Sequence, residues 1–106
     1  MDKNNAIIKL FHKGMQEECV GSISSAQELF VQAWDEASND WEKCIAAHFV
    51  ARNLSKPEDK LKWNLESLSR ADKVHNDEIK TYYPSLYLNI GLSYEILVNY
   101  AEARKY

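Results

Sequence analysis

The stretch PSLYLNIGLSYEILVNYAEARKY, residues 84–106, decides the fold. Tyr87, Ile90, Gly91 and Tyr94 recur at intervals of three and four residues, the spacing of one helical face. Pro84 pushes Tyr83 away from the α region, so the helix is expected to open at the proline and carry Leu86 to Leu97. Asn99 with Glu102 has the form of a capping box and predicts a new helix starting there. The end of the chain therefore reads as one helix and the beginning of another.

The same period extends backwards. Ile7, Leu10, Phe11, Gly14 and Met15 form an amphipathic stripe that Gly21 and Ser22 break. Ser25 with Glu28 predicts the cap of a second helix carrying Ala26, Leu29, Phe30, Ala33 and Ala37. Asn39 with Glu42 opens a third, with Cys44, Ile45, Ala47, His48, Ala51 and Leu54 along its stripe. Ser55 is expected to cap a fourth, with Pro57 in the first turn, where its missing N–H breaks no bond. That helix runs through Leu61, Leu65, Leu68 and Ala71.

Composition agrees. With 106 residues, 45% of them hydrophobic and 27% charged, the chain has the makeup of one ordinary globular domain. Only 3 Gly and 2 Pro leave too few turn residues for an all-β fold. The reading is all-α, in antiparallel helix pairs joined by short turns. A formal charge of -3 supplies no basic field for nucleic acid or an anionic membrane. Lys56, Lys60, Lys62, Arg70 and Lys73 are interleaved with acidic residues and read as a solvated face. No apolar run has the length of a membrane span. Cys19 and Cys44 are too few for a disulfide framework, and no signal peptide is read, so reduced thiols in the cytoplasm are expected.

Paired helices of similar length prompt a search for repeats. Tyr87, Ile90, Gly91 and Tyr94 reproduce the W-x-x-L-G-x-x-Y run of a tetratricopeptide helix, with Tyr for Trp and Ile for Leu, and Ala103 falls at a small-residue position of its partner helix. Leu10, Gly14, Ala26, Phe30 and Ala33 match an earlier unit, although Lys13 and Glu17 depart from it. Cys44, Ala47, His48 and Ala51 occupy the corresponding positions of a middle unit and all depart. The chain thus resembles the tetratricopeptide repeat family over units of approximately 7–40, 41–83 and 84–106. The resemblance implies a right-handed α-α superhelix in which small residues at Gly14, Gly91, Ala26 and Ala103 let paired helices approach closely. Tyr87, Tyr94 and Phe30 would fill the space between units. The register also expects an aromatic after Tyr106, so the third unit reads as unfinished and the chain as a fragment of a longer repeat protein.

Chemistry-bearing motifs are sparse. Gly14, Gly21 and Gly91 are isolated and follow no strand, which argues against a nucleotide or methyl-donor cofactor. His75 with Asp77 and Glu78 is the only local metal-like cluster, and its spacing suits a solvated turn. Cys44 and His48 lie on one helical face as a nucleophile and base would, but on a packing stripe, where cysteines are inert. The reading is of a non-enzymatic chain with no cofactor and no metal.

In the family, the first helices of successive units line a concave groove that binds peptides or helices. Carried over, that groove would comprise Ile8, Phe11, Met15, Ile45, Phe49, Arg52, Leu88, Leu92 and Glu95, with Glu18 beside them. The set is mostly apolar and lacks the Lys, Asn and Arg clamp of chaperone-binding members. A protein or peptide partner is expected there, with neither nucleic acid nor membrane. Homo-oligomerisation through the same groove or the unfinished last unit is the alternative, and a small Cys44–His48 enzyme is a third reading.

Overall fold

The computed structural model describes residues 5–74, 80, 81 and 83–104, with side chains described through residue 98. The His75, Asp77 and Glu78 cluster lies outside the described residues. Five helices are present among them: α1 (Ala6–Cys19), α2 (Ile23–Glu36), α3 (Asp40–Arg52), α4 (Pro57–Ala71) and α5 (Tyr83–Arg104). No strand occurs among the described residues. The chain is all-α.

Local chemistry sets most boundaries. The Asn5 Oδ1 caps α1 by accepting from the backbone N–H of Ile7 at 2.7 Å. Gly21 ends the helix: its φ of 83° is left-handed, and the Ser22 and Gly21 N–H groups return to the carbonyls of Glu17 and Glu18. This tight reversal starts α2 at Ile23, ahead of the expected Ser25 cap, and Ser22 caps it without a side-chain hydrogen bond. Pro57 sits at the first position of α4 as predicted, but the cap residue is Lys56 rather than Ser55.

The largest departure is α5. It is one uninterrupted helix to Arg104, so the expected break at Asn99 does not occur. Between Leu92 and Arg104 there is neither Gly nor Pro to stop propagation, and a cap-forming pair alone does not end a helix already running. The helix opens at Tyr83, one residue before the proline, where the absent Pro84 N–H has no helical carbonyl to meet. The Tyr83 hydroxyl donates to the Asp72 carboxylate at 2.8 Å and ties this opening to the end of α4.

Consecutive helices pack on one another, and α3 is the hub. Cys44, Ile45, Ala46, Ala47, Val50 and Ala51 are each at most 2% exposed, and its alanines admit α2 and α4 at close range. Helices α1 and α3 also meet side by side. Asn5 Nδ2 donates to Glu42 at 2.9 Å, the Phe11 and Phe49 rings lie 5.2 Å apart, and Arg52 and Asn53 donate to Glu18. These contacts join start to start, middle to middle and end to end, so the two helices run in the same direction. Across the molecule, Trp34 of α2 meets Trp63 of α4 edge-on at 5.0 Å. Trp34, Trp41 and Trp63 are all partly buried and packed against the core. The radius of gyration, 14.7 Å, exceeds the roughly 13 Å of a compact chain of this length. The helices are layered along one direction.

Small-residue packing is confirmed at one glycine and not at the other. The Phe30 ring lies directly over Gly14, and a Cβ there would come within 2.8 Å of its Cζ. A Cβ added at Gly91 would meet nothing within 4 Å among the described residues, and Tyr87 and Tyr94 are 59% and 50% exposed. The tyrosines expected between units face outward, because the helix that would cover them is the continuation of α5 itself.

The buried carboxylate of Glu42 carries a pH dependence. Asn39 Oδ1 accepts the Glu42 N–H at 2.8 Å as predicted, while Glu42 Oε1 accepts from Ser38, one residue earlier than a capping box would place it. Burial raises the carboxyl pKa, but hydrogen bonds from Ser38, Asn5 and Asn39 outweigh it and hold it below 4.5. A depressed folded-state value contributes stability that is complete above the unfolded-state value and is lost as pH falls through the folded one. Thermal melts should show Glu42→Gln losing about 1–3 kcal/mol at neutral pH and a shallower stability decline than wild type below about pH 5. An unchanged acid limb would show that the carboxylate is not held in this way.

Candidate functional site: the groove between α3, α4 and α5

The structure divides the nine residues expected to line a groove. Ile8, Phe11, Ile45 and Phe49 are 2–9% exposed and belong to the core of the chain itself. Phe49 stacks on Phe30 at 4.9 Å and tilts against Phe11, so neither ring has area to offer a partner. The parallel contact of α1 with α3 closes this end of the supposed groove. Met15 is half-buried against the same core, and Glu95 is exposed on α5 and does not line the groove. Arg52, Leu88 and Leu92 are brought together.

They line a concave space of about 420 Å³, to which α3 contributes His48, Ala51 and Arg52. From α4 come Lys60 and Asn64, and from α5 Ser85, Leu88, Asn89, Leu92, Ser93 and Ile96. The space exists because α5 rests on α4 through one narrow seam. Leu86 and Ser93 are 0% and 4% exposed, Ile90 and Leu97 are half-buried, and Leu88, Leu92 and Ile96 are turned away from that seam. Their exposures are 61%, 46% and 42%, so the groove keeps an apolar wall.

Its floor is polar. Asn64 is 3% exposed, and its Oδ1 has no hydrogen-bond partner among the described residues. Burial first, and the Arg52 charge second, lower the pKa of His48 from 6.5, so its imidazole stands neutral at physiological pH. Arg52 packs its guanidinium 4.7 Å from the Phe49 ring and is held by Glu18. Lys60 makes no ion pair among the described residues. The lining has two basic side chains and no carboxylate.

The sequence reading missed Lys60, Asn64, Asn89 and Ser93. Asn64 carried a signal: it is a polar residue in a stripe with Leu68 and Ala71. Ser93 is likewise three and seven residues from Ile90 and Leu86 on the packed seam.

Cys44 is fully buried, its Sγ is 3.4 Å from the Ser67 hydroxyl, and burial raises its pKa, which keeps it a thiol. Among the described residues no three His, Cys, Asp or Glu side chains gather as metal ligands, and no helix is long and apolar enough to cross a membrane. No family model, no curated protein and no solved structure matches this chain.

Proposed function

We propose that this chain is a small helix-pair repeat scaffold of tetratricopeptide type, and that it binds a segment of another protein in the groove between α3, α4 and α5. The repeat reading is supported by the parallel, end-to-end pairing of α1 with α3 across about one repeat period, and by Phe30 seated on Gly14. The observation that carries the binding reading is the concave space itself, with an apolar wall of Leu88, Leu92 and Ile96 over a floor of buried polar groups. Recognition sites combine these two features, apolar area for affinity and a few placed polar groups for orientation. Each wall residue contributes at most about 1.5–3 kcal/mol on full burial, before ordering costs. Interaction fits the site better than a Cys44–His48 dyad, since the Cys44 thiol is sealed in the core.

Peptides selected from a displayed random library against the wild-type chain test this. Leu92→Asp should weaken the selected peptides at least about tenfold. Val31→Asp, a comparable change on the exposed face of α2, should leave them unaffected. Equal binding to both variants would contradict the groove assignment.

Self-association is a second reading, favoured by the outward face of α5. Tyr87, Tyr94 and Val98 are 59%, 50% and 58% exposed, and apolar faces of this kind mark contact surfaces. Concentration-dependent mass in sedimentation, abolished by Val98→Asp but not by Leu92→Asp, would establish it.

A further inference from the structure

Asn64 is the unusual member of the groove. A buried amide oxygen with no partner forfeits a hydrogen bond that its surroundings would otherwise supply, and such atoms are rare unless something meets them. Asn64 lies in the middle of α4, three, four and seven residues before Ser67, Leu68 and Ala71, and is itself 3% exposed, a position where an apolar side chain would carry no such penalty. Its amide carries both a donor and an acceptor, and rotation about the Cβ–Cγ bond presents either end to the groove. The complement of such a group is a peptide unit, with its own N–H and C=O. A helical ligand has already paired both of these internally, whereas an extended one has them free. Ser93, a buried hydroxyl from α5, adds a second polar contact in the same lining.

Charge narrows the class further. Lys60 is without an ion pair among the described residues, Arg52 lines the same space with its guanidinium held by Glu18, and no carboxylate lines the space. An acidic side chain is therefore stabilised here and a basic one disfavoured. Leu88 and Leu92 supply the apolar contact on the other wall.

Resting on the groove reading above, we propose that the ligand is an extended, acidic peptide segment whose backbone peptide unit pairs with the side-chain amide of Asn64. Alternate side chains then divide between the two walls, apolar residues against Leu88 and Leu92 and a carboxylate beside Lys60. The site reads main chain for conformation and charge for selection.

The test uses two fluorescein-labelled, C-amidated decapeptides, one alternating Leu with Asp and the other Leu with Lys, with binding followed by anisotropy. The acidic peptide should bind at least about tenfold tighter than the basic one, and added salt should narrow the gap. N-methylation of its central amides should weaken it about tenfold on the wild-type chain. Asn64→Leu should cost a similar factor, and the N-methyl groups should cost nothing further on that variant. Its melting temperature should be equal to or above that of wild type, because an apolar side chain of similar shape removes an unpaired buried amide oxygen. Indifference to N-methylation, a preference for the basic peptide, or wild-type affinity in Asn64→Leu would overturn this inference alone. Binding of neither decapeptide would overturn the groove reading with it.

Discussion

Phe30→Ala is expected to destabilise the fold by about 3–5 kcal/mol, the usual range for truncating a fully buried phenylalanine. Phe30 is 0% exposed and joins three helices: it projects from α2, lies over Gly14 of α1 and stacks on Phe49 of α3 at 4.9 Å. Removing the ring leaves a cavity that none of the three can fill, because α1 and α3 are held apart at fixed spacing by the Asn5–Glu42 and Glu18–Arg52 contacts at their ends. A domain of this size has only about 5–15 kcal/mol in total, so the midpoint should fall by on the order of 20 °C in a calorimetric scan. The double variant with Phe49→Ala should lose less than the sum of the two single changes, since one stacked contact is shared. A loss under about 1 kcal/mol would mean that the ring does not hold the three helices together.

Gly14→Ala should also destabilise, against the trend for glycine in a helix. Alanine in a helix interior is ordinarily favoured by about 1 kcal/mol. Here the added Cβ would meet the Phe30 ring, and that ring cannot withdraw because Phe49 backs it. Overpacking of this kind costs about 1–3 kcal/mol and reverses the sign. Gly91→Ala is the internal control: it lies within α5, where an added Cβ would meet nothing within 4 Å among the described residues, so the same change should stabilise by about 0.5–1 kcal/mol. Chemical denaturation of the two variants would show opposite shifts in midpoint. Shifts of the same sign would contradict the close approach at Gly14 or the openness at Gly91.

These two glycines show what the sequence could and could not convey. Helical period, Asn39 as a cap, Pro57 at a first turn and the stripe of Ala26, Phe30 and Ala33 were all legible, because each depends on neighbours within a few residues. The end of α5 was misread for a related reason. Asn99 and Glu102 are spaced as a cap, but whether a helix stops depends on what packs beside it, and the sequence at that point shows only the local pattern. Ile8, Phe11, Ile45 and Phe49 sit on faces that a family register assigns to a groove, yet their burial follows from the direct contact of α1 with α3. Apolar residues on such a face read the same whether they meet a partner or each other. The polar exceptions were the better guide: Asn64 and Ser93 interrupt apolar stripes, and both line the space that remains open.

The central claim is that α3, α4 and α5 leave an unfilled groove that a partner segment occupies. Amide-resolved NMR of the isotopically labelled chain, titrated with the Leu–Asp decapeptide, tests it most directly. The account predicts the largest shifts at His48, Arg52, Asn64, Leu88, Asn89 and Ser93, with the Asn64 side-chain amide among them. Shifts concentrated on α2 or at Tyr94 and Val98, or none at saturating peptide, would contradict it.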